Sequence, residues 1–175
     1  MTTFIATLKP TLPMLIMLCL PLFAKAEDIL ETKVKSTYVY HLINYIEWAR
    51  LPNDAFHICV LGADSMGAML KKLINRQVKN LPPKIDIGII EKPALCQVLF
   101  IGNSVTNWSE ILAKLGDSNV LTVSDSENFA QRGGMVGFYS QDSKIKLELN
   151  PSAMHSANLK ISAKLMEVAR IVSPQ

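Results

Sequence analysis

The chain has 175 residues, nearly half of them apolar, with 18 Lys and Arg against 15 Asp and Glu. That size and apolar content suit one domain with a substantial core. A formal charge of +3 without a basic run or an aromatic–arginine platform argues against nucleic acid as a partner.

The N-terminus carries Lys9, an apolar stretch from Leu12 to Phe23, and then Ala24-Lys25-Ala26, a small-x-small pattern. Residues 1–26 therefore read as a secretory signal peptide, with Glu27 opening the mature protein. The apolar stretch is about a dozen residues broken by Pro13 and Pro21, whereas a spanning helix needs roughly 20. Cys19 follows bulky Leu18 rather than a small residue, so it is no lipoprotein site and leaves with the leader. Removing Lys9 and Lys25 leaves 16 basic residues against 15 acidic, so the basicity belongs to the leader. No second apolar segment follows, and the mature protein is expected not to be membrane-inserted.

Asp28 to Trp48 is the first long element. Leu30, Val34, Tyr38, Leu42, Tyr45 and Trp48 recur every three or four residues, one stripe of a helix. Phe56 to Gly62 is an apolar run with a glycine stop, a buried strand. Ser65 is placed to cap a helix through Met66, Met69, Leu70, Leu73 and Ile74. Pro82-Pro83 breaks the chain before a strand through Ile85, Ile87, Ile89 and Ile90. Val98 to Gly102 is a third strand, and Trp108 to Leu115 a short helix stopped by Gly116. Val120 to Val123 is a fourth strand, ending in Ser124-Asp125-Ser126.

The last third reads as a β-hairpin feeding a helix. Met135, Val136, Phe138 and Tyr139 form one strand and Asp142-Ser143 the turn. Ile145, Leu147 and Leu149 alternate with Lys144, Lys146 and Glu148 in the second strand. Asn150 stands at an N-cap with Pro151 at the first helical position. Met154, Ala157, Ile161, Leu165, Val168 and Val172 then predict one long helix. Strands alternating with helices give an α/β class: a single three-layer domain with a mixed, partly parallel sheet, long N- and C-terminal helices and a late hairpin.

Candidate chemistry is sparse. Cys59 and Cys96 remain after export and read as a disulfide, closing a loop worth roughly 4 kcal/mol in the chain-entropy model. Two buried free thiols are the alternative, and a Cys-x-x-Cys motif is absent. His41, His57 and His155 lie on separate elements, without metal-ligand spacing, and no metal or cofactor is expected. Gly62-Ala63-Asp64-Ser65-Met66-Gly67 follows a strand, yet has neither a phosphate-loop ending nor a dinucleotide fingerprint. Ser124 and Asp125 occupy the strand-end position where α/β folds bind ligands, although short polar residues are also ordinary turn formers. Arg132-Gly133-Gly134 reads either as a β-bulge or as a flexible rim that a partner or ligand closes. Tyr38, Tyr45 and Trp48 serve core packing or an interface.

The run Gly133-Gly134-Met135-Val136-Gly137-Phe138, the ending Glu148-Leu149-Asn150 and the segment Leu159 to Leu165 resemble the C-terminal half of the YfiR family. Val34 to Tyr38, Ile46-Glu47-Trp48, Cys59 to Gly62 and Val120 to Asp125 extend that resemblance over nearly the whole mature chain. The family usually has proline directly after the tryptophan, whereas Ala49-Arg50-Leu51 precede Pro52 here. The resemblance implies a non-enzymatic periplasmic repressor, typically dimeric. It would bind the periplasmic sensor region of a membrane-anchored diguanylate cyclase, or a sensor kinase, and lower cyclic di-GMP and biofilm formation. Some relatives carry a second cysteine pair near the Gly-Gly hairpin, which this chain lacks. A periplasmic small-molecule binding module, with a pocket near Ser124, Asp125 and Gly133, is the alternative.

Overall fold

A computed structural model describes residues 20–75 and 77–173. The expected leader, Cys19 included, lies outside the described residues as far as residue 19. Among the described residues, no helix is long and apolar enough to cross a membrane.

The first helix, α1 (Leu20–Tyr45), buries Val39, Leu42 and Ile43 almost completely. It was expected to run on to Trp48 but stops three residues earlier, at Tyr45. Ile46–Trp48 forms a strand, β1, whose residues alternate buried, exposed, buried. Its partner is β8 (Leu159–Ile161), antiparallel, with Ile46 opposite Ile161 and Trp48 opposite Leu159. A β-branched and an aromatic residue flanking Glu47 suit a pleated edge once a partner strand exists.

The main sheet holds β2 (Phe56–Leu61), β3 (Pro83–Ile87), β4 (Val98–Ile101), β5 (Leu121–Ser124), β6 (Val136–Gln141), β7 (Lys144–Leu149) and β9 (Arg170–Ile171), in the spatial order β3-β2-β4-β5-β6-β7-β9. The first five of these neighbours run parallel, β7 is antiparallel to β6, and β9 is parallel to β7. The central strands are apolar on both faces because both are covered. Phe56, Ile58, Val60, Val98, Phe100, Leu121 and Val123 join one core with residues of α1 and of α2 (Asp64–Leu73). Cys59, Leu99 and Ile101 face the other way, toward Phe129 and the buried Trp108 and Leu115 of α3 (Trp108–Leu115). The domain thus has three layers. The Cys59–Cys96 disulfide lies in the second core, with Cα atoms 6.0 Å apart and both residues buried.

The hairpin forms as its sequence requires. Asp142 and Ser143 are the two loop residues, with φ of 51° and 57°. Two successive left-handed residues match the twist of the flanking strands. Asn150 caps α4 (Pro151–Ser156), its side chain accepting from Ala153 N–H at 3.1 Å.

Three other expectations are corrected. α2 begins at Asp64 behind Ala63, so Ser65 does not cap it. β3 ends at Ile87, leaving Ile89 outside the strand and 92% exposed. The long C-terminal helix is broken into α4, β8, α5 (Ala163–Val168) and β9. Asn158, with φ of 57°, turns the chain after α4. The unpaired edge of β1 then takes Leu159–Ile161, and Ser162 caps the next helix by accepting from Leu165 N–H. Spacing by threes and fours was compatible with one helix, but pairing with strands far away in sequence prevailed.

Candidate functional site: the strand-end crevice and its latch

In an open α/β sheet, ligands bind where successive connections diverge, outside the carboxyl ends of the strands. β2 leads to β3 on one side, while β4 lies on its other side and leads to β5. The divergence therefore falls between Gly62 and Gly102, the residues after β2 and β4. Both glycines are required by close approach. A Cβ at Gly102 would strike the Gly62 carbonyl, and one at Gly62 would strike Val105. Ser104 Oγ donates to the Gly62 carbonyl at 2.8 Å. The chain's own loop thus narrows the central crevice, which keeps a cavity of about 300 Å³ lined by Gly62, Ser65, Gly102, Asn103, Lys35 and Asp125 among others.

Beside it, α1 reaches over the end of β5. Lys35 is 9% exposed, and its ammonium lies 2.6 Å from Glu31 Oε1 and 2.9 Å from Asp125 Oδ2. The second oxygen of Asp125 accepts the Asn103 N–H at 2.9 Å. Burial is the largest single influence on Lys35 and opposes its charge. The hydrogen bonds and charges of Glu31 and Asp125 together outweigh it and hold the ammonium above the ordinary lysine value. With two carboxylates on its ammonium, Lys35 ties α1 to the end of β5. Ser124 is buried, donating to the Ile101 carbonyl at 2.6 Å and accepting Ser126 N–H at 3.0 Å. Its hydroxyl shapes the turn that presents Asp125. A cavity of about 520 Å³ opens next to this latch, lined among others by Glu31, Lys35, Asn103, Asp125 and Arg170.

The structure separates the Arg132-Gly133-Gly134 rim from Asp125. Val123 is level with Val136 in the parallel β5–β6 pair, so the glycines precede β6 at the opposite end of β5. At about 3.3 Å per residue, Gly133 and Asp125 differ in height by roughly 16 Å. Gly133 takes φ of 100°, and Gly134 is packed under the Phe129 ring. Arg132 is exposed, its guanidinium 4.6 Å above the Trp108 ring.

The aromatics on and after α1 divide. Trp48 is 9% exposed, donates to the Gln97 carbonyl and meets Phe56 edge-on at 5.2 Å. Tyr38 is half-buried and donates to the Ile145 carbonyl at 3.3 Å. Tyr45 is 37% exposed at the end of α1. Trp48, Ser124 and Gly134 thus lie inside the domain, while Tyr45, Arg132 and Gly133 are accessible.

Two charged pairings were not read from the sequence. Glu31 and Lys35 stand four apart on a helix, a spacing that was visible. Glu148 is buried, accepts Gln131 Nε2 at 3.1 Å and forms an ion pair with Arg170, which lies 3.9 Å above the Tyr139 ring. No local pattern announces that pair, since it depends on β9 lying beside β7. Among the described residues, no three His, Cys, Asp or Glu side chains converge as a metal site.

Fold and site together define a disulfide-stapled, three-layer α/β domain whose central crevice is narrowed by its own loop and flanked by a latch from a helix lysine. The family model described as YfiR/HmsC-like matches residues 32–170, and the chain belongs to that family. No curated protein matches the chain.

Proposed function

We propose that this chain is a non-enzymatic regulator exported to the periplasm. There it binds the sensor region of an inner-membrane diguanylate cyclase and represses it, lowering cyclic di-GMP and biofilm formation. The observation that carries this reading is the family match over residues 32–170. At the strand-end crevice Lys35 is engaged by Glu31 and Asp125, which suits a binding role. The buried Cys59–Cys96 bond suits an oxidising compartment. Repression would follow from differential affinity: the regulator favours the inactive cyclase and shifts its population. The exposed parts of α1 and the Arg132–Gly134 rim are the contact surfaces that the sequence reading proposes, and Tyr45, Arg132 and Gly133 are their accessible residues. A homodimer and a signal peptide over residues 1–26 belong to the same reading.

The test is purification of the exported, oxidised protein from native membranes, with mass spectrometry of what stays bound and cyclic di-GMP measured with and without the gene. A retained cyclase, and a rise in cyclic di-GMP on deletion, are expected. An unchanged second-messenger level and no retained membrane protein would overturn the reading. The cavity beside Lys35 and Asp125 favours a second reading, a small-molecule module, which predicts ligand-dependent thermal stabilisation.

A further inference from the structure

The main sheet ends in an edge that the chain covers only in part. β7 has six residues, but β9 pairs only with Glu148 and Leu149. Val172 N–H donates to the Leu149 carbonyl on that outer side. Backbone groups point the same way at every second residue of a strand, so those of Ile145 and Leu147 also face outward. The Tyr38 hydroxyl, reaching the Ile145 carbonyl from α1, fixes the same direction independently. Among the described residues, no backbone acceptor outside the hairpin meets the N–H groups of Ile145 and Leu147.

These groups face a groove of about 960 Å³. Its walls include Leu30, Val34 and Tyr38 of α1 and Val168 of α5, and Leu30 and Val168 are 61% and 76% exposed. The two faces of the edge differ in chemistry. Ile145 and Leu147 turn toward α1 and the apolar core. Lys144 and Lys146 turn to the other face, and among the described residues neither makes an ion pair. Lys146 reaches only the Gln141 side-chain oxygen, at 3.1 Å.

We propose that an extended segment of a partner protein, alternating apolar and acidic residues, adds as a strand along the outer edge of β7. Its backbone carbonyls would accept from Ile145 and Leu147. Its apolar side chains would enter the groove between α1 and Val168, and its carboxylates would lie across from Lys144 and Lys146. β9 already shows the mode, since it occupies the C-terminal end of the same edge as a strand. A second copy of this chain is a poor occupant. Pairing β7 with another β7 places residues of the same face opposite one another, so Lys144 and Lys146 would confront their own counterparts. The same two lysines that disfavour pairing of β7 with another β7 admit an acidic strand. The inference rests on the reading of the chain as a protein-binding regulator and names the surface and chemistry of what docks.

The probe is an acetylated, amidated peptide of alternating Glu and Val, added to the oxidised exported protein and followed by amide NMR shifts. Controls are a Lys–Val alternating peptide and a block peptide of the acidic composition. The acidic alternating peptide is expected to shift and protect the Ile145 and Leu147 amides. The double substitution Lys144→Glu and Lys146→Glu, at one exposed and one half-buried position, with folding checked by thermal denaturation, is expected to weaken it about tenfold and to reverse the preference toward the lysine peptide. Equal binding of both peptides, shifts confined elsewhere, or an edge already protected by a second copy would overturn the proposal. The same double variant in the membrane purification separates this inference from the functional one. A cyclase retained equally by both proteins, with no peptide shift at β7, sinks the surface and leaves the function. Peptide binding as stated with no cyclase retained sinks the function and leaves the surface.

Discussion

The Lys35 ammonium lies 2.9 Å from Asp125 Oδ2, joining the middle of α1 to the carboxyl end of β5 across 90 residues of sequence. Glu31, one turn earlier, completes the latch at 2.6 Å. The ion pair is mostly shielded from water on the Lys35 side, so its loss leaves Asp125 with only the Asn103 N–H as partner.

Lys35→Met is expected to destabilise the domain by about 2 kcal/mol, less than a fully buried pair because Glu31 remains solvated. Asp125→Asn keeps an acceptor for Asn103 and should cost about half as much. Thermal denaturation of the three proteins under oxidising conditions checks the order. Equal midpoints for wild type and Lys35→Met would remove the latch as a stabilising feature.

The pH dependence of that difference has a fixed sign. Lys35 is held above the ordinary lysine value of 10.5 when folded, so the folded state binds its proton more tightly. The contribution is therefore fully present below about pH 10.5 and is lost as pH rises through the higher folded value. The gap in midpoint between wild type and Lys35→Met should stay level from about pH 7 to about pH 10 and close above that. A gap that closes already at about pH 8 would contradict the tether.

Reduction of Cys59–Cys96, or the double change to serine, is expected to cost roughly 4 kcal/mol. Both cysteines are buried, at 3% and 2% exposure, so mild reductant should leave the bond intact until the protein unfolds. Denaturant midpoints with and without reductant, with thiol titration of the native protein, measure both statements.

Gly133→Ala and Gly134→Ala should fail for different reasons. Gly133 has open space around it, so alanine there costs only the left-handed backbone, about 1–2 kcal/mol. Gly134 has the Phe129 ring against it, and alanine must push that ring into Trp108, which it meets at 5.1 Å. The second variant should lose about 3 kcal/mol and alter the near-ultraviolet dichroism of Trp108, while the first leaves that signal unchanged.

Replacing Asp142-Ser143 by Asn-Gly should raise stability by about 0.5–1 kcal/mol, since both positions already hold positive φ. The denaturant midpoint should rise with no change in the slope. A fall would mean that Asp142 or Ser143 contributes a contact beyond the turn itself.

Local chemistry determined much of this protein. Alternation from Lys144 to Leu149 and the Asp142-Ser143 turn specified the hairpin, because a two-residue loop and a period of two leave little freedom. Asn150-Pro151 specified a helix start, two cysteines outside the leader pattern pointed to the disulfide, apolar runs ending at Gly62 and Gly102 marked buried strands, and their alternation with helices implied a partly parallel sheet. Short motifs in their order also marked the family. What only the tertiary structure decided depends on partners distant in sequence. Ile46–Trp48 and Leu159–Ile161 are strands because each supplies the other's edge, and neither has an intrinsic pattern strong enough to overrule helical spacing. Asp125 and the Gly133–Gly134 rim lie at opposite ends of β5 because β6 runs parallel to it, which requires the chain to travel back before β6 begins. Lys35 finds Asp125, and Arg170 finds Glu148, only once the sheet is assembled, since an ion pair is set by distance in space and not by spacing along the chain.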